Sequence, residues 1–167
     1  MRKKGGGSNL GAGAGSLRLE GTDSLRLDRQ LCFSLYSAQL AMTRAYRPLL
    51  EKLGLTYPQY LVLLALWERD AETVSAIGER LCLDSGTLTP LLIRLQERHL
   101  VRRERGPQDG RQVLIHLTAA GRSLEERAVG VRRRVMDSTG LSPRGLDDLK
   151  TQLVGLRIRL SAVEAAA

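Results

Sequence analysis

Of the side chains in this sequence that can do chemistry, Cys32 has the most suggestive surroundings. It lies near the start of a helical pattern, where the positive end of the helix dipole favours thiolate, the nucleophilic form of cysteine. Arg29 adds positive charge just upstream. Tyr36, Tyr46 and Tyr57 follow Cys32 at spacings of four, fourteen and twenty-five residues, and all six aromatic residues fall between Phe33 and Trp67. Phenol hydroxyls that donate to one sulfur would hold it as thiolate, poised for oxidation. Tyr46 cannot reach Cys32 along one straight helix, because that spacing at about 1.5 Å per residue is about 21 Å. A second, antiparallel copy of the helix would bring the two together, as a symmetric dimer does. The plainer roles are a small buried hydrophobe for the cysteine and core filling for each tyrosine, Tyr60 included.

The helix that holds Cys32 is expected from Asp28 to Leu53, with Leu31, Leu35, Ala38 and Met42 on one apolar face and Gly54 as its stop. Thr56 is a cap for a helix that opens at Tyr57 or Pro58 and stays apolar through Trp67, so it should be central. A short helix from Thr73 or Ser75 to Leu81 precedes a second one in which Leu88, Leu91, Leu92 and Leu95 share a face. Asp84 or Ser85 caps that helix, and Pro90 lies inside it at the loss of one backbone hydrogen bond. Val101 to Arg105 and Gln112 to Leu117 are expected strands around the turn Gly106-Pro107-Gln108-Asp109-Gly110. Thr118 caps a long helix towards Ser138, which ends at Thr139-Gly140. Ser142-Pro143 then opens a last helix striped by Leu146, Leu149, Leu153, Leu156 and Leu160.

This order, two short helices and then an arginine-rich hairpin, is what a winged helix-turn-helix requires. The expected fold is mostly α with a small β-hairpin wing, an α+β class. The expected organisation is a flexible Gly-rich tail over 1–24, a helix over 25–54, a DNA-reading lobe over 55–117 and C-terminal helices over 118–167, the terminal helices carrying leucine stripes too long for a small lobe to bury.

A formal net charge of +8 and a pI near 10.2 favour a polyanionic partner. The charge is concentrated where a DNA reader needs it, since six arginines but three acidic residues lie from Arg94 to Arg111. The helix that begins near Ser85 is expected to present Ser85, Thr87, Thr89 and Arg94 opposite its leucines. Hydroxyls and guanidinium groups can bond phosphates and base edges in the major groove. Asp109 is placed to orient Arg111 for the adjacent minor groove, whose negative potential attracts arginine. The alternative for these residues is a solvated polar helix face and a charged surface hairpin.

These residues carry a family resemblance. Ala76-Ile77-Gly78-Glu79-Arg80-Leu81, Leu83 to Leu92 with Asp84 at its head, and Asp109-Gly110-Arg111-Gln112-Val113 resemble the MarR family of bacterial winged-helix repressors. Leu31-Cys32-Phe33-Ser34-Leu35-Tyr36, Tyr46 and Leu55-Thr56-Tyr57-Pro58-Gln59-Tyr60 resemble its OhrR subfamily, the organic-hydroperoxide sensors. The resemblance implies a homodimer joined through its first and last helices, bound to a near-palindromic operator in double-stranded DNA. It implies that Cys32 is the redox sensor, that Tyr36 and Tyr46 of the partner subunit bond its sulfur, and that Tyr57 completes the pocket. Oxidation by an organic hydroperoxide would then release the DNA. Val131 to Ser138, where some members carry a resolving cysteine, has none here. A low-molecular-weight thiol becomes the expected resolving partner, and Cys82 is expected to be structural.

Two other readings are weighed against this one. A repressor governed by a small phenolic or aromatic ligand would share the fold and differ in its input. A thiol peroxidase commonly has Thr or Ser three residues before its cysteine, where this chain has Arg29. The expectation is a regulator without enzymatic activity or cofactor. His99 and His116 are isolated, so no metal site is expected. The glycine-rich N-terminus is unlike a secretory signal and no apolar run is long enough to span a bilayer, so a cytoplasmic address without membrane contact is expected.

Overall fold

The computed structural model describes residues 22–106 and 112–164. By compactness the chain divides into two units, residues 1–39 and 40–167.

The described part of the first unit begins with two 3-10 turns, Thr22–Leu25 and Leu27–Arg29. Helix α1 follows, Leu31–Glu51, and continues into the second unit. The expected start at Asp28 is thus three residues early. Asp28 does not cap the helix; its carboxylate accepts from the Arg26 guanidinium at 2.7 and 3.1 Å. Gln30 takes the capping position instead, since its carbonyl accepts from Ser34 N at 3.2 Å while its amide reaches back to Ser24 O at 2.6 Å. The expected tail lies outside the described residues up to residue 21, and its last residues belong to the first turn.

The second unit is built around helix α2, Tyr57–Glu68. Thr56 and Gln59 form a reciprocal cap: Thr56 N donates to Gln59 Oε1 at 2.9 Å and the Thr56 hydroxyl accepts from Gln59 N. Val62, Leu63 and Leu66 are fully buried, as an all-round apolar helix must be. After it come β1 (Glu72–Thr73), α3 (Val74–Leu81), α4 (Ser85–Glu97), β2 (Val101–Arg105), β3 (Val113–Leu117), α5 (Ala119–Ser138) and α6 (Pro143–Glu164). Helix α4 includes Pro90, as expected, and of the two expected caps, Asp84 and Ser85, the structure uses Asp84.

The sheet runs β1-β3-β2, antiparallel throughout. Strand β1 was not expected, because two residues are too few to display a period. It pairs Glu72 with Ile115 and Thr73 with Leu114, which gives the wing hairpin a third strand. Glu72 is a buried carboxylate held by Arg80 Nη1 at 2.9 Å. Asp70 accepts from Leu117 N at 2.8 Å and from Arg122 at 2.6 Å, which ties the sheet to α5. Trp67 Nε1 donates to Gly121 O at 3.0 Å. Glycine is required at 121, since a Cβ there would lie 2.1 Å from Leu100 O.

Candidate nucleic-acid interface and thiol site

Helix α4 buries Leu88, Leu92 and Leu95 and leaves its other side open. Steps of four and seven residues return to the same side of a helix. Ser85 and Thr89 therefore share one flank, and Thr87 and Arg94 share the other. Between the flanks lie exposed Pro90 and Ile93, the latter 42% exposed. Ile93 was missed in the sequence because an isoleucine beside a leucine stripe reads as core. On this open side it offers an apolar contact of the kind that suits a thymine methyl.

Asp84 has both carboxylate oxygens occupied by Thr87, which donates through its backbone N–H at 2.9 Å and its hydroxyl at 2.8 Å. The Thr87 hydroxyl bond is the main cause that holds the Asp84 carboxyl below its ordinary pKa, and the Thr87 backbone bond adds to it. Asp84 thus sets the start of α4 and aims Thr87, whose hydroxyl oxygen keeps its acceptor capacity.

The wing base is closed by Gly106 N donating to Gln112 O at 2.9 Å. On one side of β2, Arg102 pairs with Glu104, and His116 Nε2 lies 3.4 Å from the same carboxylate. Arg102 is the chief cause that depresses the Glu104 carboxyl. Asp109 and Arg111 lie outside the described residues.

Cys32 is the second residue of α1 and is exposed, and Tyr36 stands one turn further on at 60% exposure. The other tyrosines belong to the second unit and form an aromatic cluster. The Tyr46 ring lies 4.9 Å from Tyr57 and 5.7 Å from Tyr60, and Tyr60 meets Trp67 edge-on at 6.2 Å. Tyr60 is a core residue, 2% exposed. Burial, reinforced by the neighbouring phenols Tyr60 and Tyr57, pushes Tyr46 up to about 12, with Arg132 opposing the rise. Burial also raises Tyr57 and Tyr60. These phenols keep their protons at neutral pH and remain donors.

Beyond α1, two arginines grip the chain. Arg98, the residue that ends α4, donates to Leu53 O at 3.3 Å, and Arg127 of α5 donates to Lys52 O at 3.2 Å. Gly54 makes room for this, since a Cβ there would lie 2.4 Å from Arg98 Nη2. The turn after the helix that holds Cys32 is thus bonded to the residue that ends α4.

Cys82 ends α3 with φ +53, a left-handed conformation usually taken by glycine, and its sulfur accepts from Arg157 at 3.1 Å. Among the described residues no cluster of three metal-ligating side chains occurs, and no helix is long and apolar enough to cross a membrane.

Residues 44–127 match the family described as Transcriptional regulator SarA/Rot. The chain is 49% identical over 128 residues to the organic hydroperoxide resistance transcriptional regulator of Bacillus subtilis (strain 168), a match that covers 77% of this chain and 85% of that protein. Among solved structures it is similar to reduced AbfR bound to DNA, with a TM-score of 0.69, 38% identity, and coverage of 84% of this chain and 96% of that one. It is also similar to AbfR in its disulfide form, with a TM-score of 0.57, 39% identity, and coverage of 80% and 94%. AbfR comes from Staphylococcus epidermidis.

Proposed function

Because this chain belongs to the SarA/Rot family of transcriptional regulators, a MarR-type winged-helix group, we propose that it is a repressor that senses organic hydroperoxides through Cys32. The reduced homodimer binds a near-palindromic operator through one α4 and one wing per subunit. Residues 25–54 and 118–167 form the dimer, and residues 55–117 read the DNA. Exposed apolar side chains support that assignment: Leu31 and Tyr36 on α1, and Leu149, Leu153, Ile158 and Leu160 on α6. Ser85, Thr87, Thr89 and Arg94 face the major groove, Asp84 orients Thr87, and Arg111 with Asp109 enters the minor groove.

The observation that carries this reading is a thiol open to solvent in the first turn of α1, in a chain whose buried phenols stay protonated. In the dimer, Tyr36 and Tyr46 of the partner subunit donate to the Cys32 thiolate, and Tyr57 lines the pocket. The thiolate attacks one peroxide oxygen; a sulfur–oxygen bond forms and the O–O bond breaks. The alkoxide leaves and takes a proton, so sulfur is oxidised by two electrons and the peroxide is reduced to an alcohol. A low-molecular-weight thiol then condenses with the sulfenic acid, forming a disulfide and releasing water. The phenols lose their acceptor and α1 shifts. Arg98 passes the shift to the end of α4, so the two reading helices lose their spacing. A thousandfold fall in affinity needs only about 4 kcal/mol of difference between the two states.

Operator gel shifts of wild type and Cys32→Ser, with and without cumene hydroperoxide, test this. Wild type is expected to release DNA on oxidation and Cys32→Ser to stay bound, with mass spectrometry finding the oxidised adduct at Cys32. A Cys32→Ser protein that still lets go would favour the second reading, a repressor governed by a phenolic or aromatic-acid ligand. One observation favours that reading: a cavity of about 720 Å³ among α2, α5 and the start of α6, where Tyr60 and Trp67 face Arg132 and Arg133.

A further inference from the structure

Strand β2 carries an exposed arginine on the face that its first residue buries. Along a strand successive side chains point to opposite faces. Val101, Arg103 and Arg105 share one face, and Arg102 and Glu104 share the other. Val101 is 2% exposed, and Arg103 sits opposite fully buried Ile115 of β3. Arg103 thus follows Val101 on the face that Ile115 shares, but is itself exposed. Arg102, on the outward face, has Glu104 as its carboxylate. Among the described residues Arg103 forms no ion pair.

Arg103 opens into a notch of about 420 Å³ between the wing, the start of α3 and the reading helix. Its polar lining is Thr73, Ser75, Thr89, Arg103 and Gln112, with no acidic residue. The Thr73 hydroxyl already accepts from Ala76 N at 3.1 Å as the cap of α3. Ser75 and Thr89 bring further hydroxyls, Gln112 an amide, and Arg103 a planar fork of donors. This is the chemistry of an anionic oxygen site, in which a guanidinium gives a bidentate, charge-assisted hold. The notch also adjoins the α4 flank that carries Ser85 and Thr89.

We propose that this notch seats one backbone phosphate of the bound duplex, with Arg103 as its anchor. The proposal rests on the DNA-reading role and adds to it a positioning residue. A phosphate contact fixes the register of the protein on DNA and carries no base information. Arg103 therefore contributes to affinity for any sequence, whereas the outer face of α4 discriminates among sequences.

The test is a salt titration of wild type, Arg103→Gln and Arg103→Lys, each on the operator duplex and on a scrambled duplex of equal length. Arg103→Gln is expected to weaken both duplexes by the same factor, about tenfold. The slope of log affinity against log salt should become shallower by about one. Arg103→Lys, a point charge without the fork, is expected to keep the slope and lose part of the affinity. Circular dichroism and melting curves of both variants establish that they are folded. An unchanged slope in folded Arg103→Gln overturns the proposal, and so does a loss confined to the operator, which would make Arg103 a base reader. Inorganic phosphate that raises the melting temperature of wild type, together with an unchanged slope in Arg103→Gln, identifies a free-anion site and also overturns it. Failure of wild type to bind either duplex in low salt is a different result: it removes the DNA-reading role itself, and this proposal with it.

Discussion

Helix α2 and the opening turns of α1 are both rich in apolar side chains, yet they end in opposite surroundings. Val62, Leu63 and Leu66 are fully buried, while Leu31 is 61% exposed and Tyr36 60% exposed. The central helix packs against α3, α4 and α5. The opening of α1 stays exposed, and α6 likewise leaves Ile158 and Leu160 open. Large apolar side chains grouped in the open mark an interaction surface. The contrast separates two kinds of stability. In the proposed function the reading lobe is held by its own core, whereas the thiol site depends on a second copy and so on mass action. A switch of the proposed kind would benefit from that division, because oxidation would rearrange the thiol site without melting the reading lobe.

The largest effect that bears on this contrast is expected from Leu92→Ala. It opens a hole beneath the reading helix and should lower unfolding free energy by about 2–5 kcal/mol in urea titration. Leu31→Ala is expected to change the unfolding of dilute protein by about 0.5 kcal/mol or less, yet to shift the dimer towards monomer in sedimentation velocity. Equal losses from the two variants would erase the distinction. Gly121→Ala is next, because its Cβ meets the backbone carbonyl of Leu100, and a loss of about 1–3 kcal/mol in melting experiments is expected.

The smallest effect concerns pH. Tyr46 titrates at about 12 in the folded protein, above the ordinary tyrosine value of 10.0. Folding therefore favours its neutral form. The contribution is fully present below pH 10 and declines as pH rises towards 12. Tyrosinate absorbance in the near ultraviolet should show a late-titrating class of phenols, and Tyr46→Phe should remove part of it. A titration complete near pH 10 would mean that the aromatic cluster is open to water.

Much of this molecule was legible as a string. The Thr56 cap, Asp84 before α4, Pro90 tolerated inside it and Thr118 before α5 all act over three or four residues, so their signals are local. The thiol was legible for the same reason, since its place near a helix start is read from its neighbours. The start of α1 is less legible, because an apolar period marks a face and not its first residue. Strand β1 was invisible because its pairing with β3 spans some forty residues of sequence.

Sequence alone determined the order of the elements, the apolar stripes, the excess of arginine around the wing and the cysteine at the head of a helix. Only the tertiary structure decided that Thr87 occupies Asp84, that Tyr46 joins Tyr57 and Tyr60, that Arg98 grips the turn after α1, and that Arg103 and Arg102 lie on opposite faces of β2. The first group follows from periods and caps that a few neighbouring residues specify. The second depends on register and long-range packing, where one residue of slip reverses a strand's two faces and no local pattern records the choice.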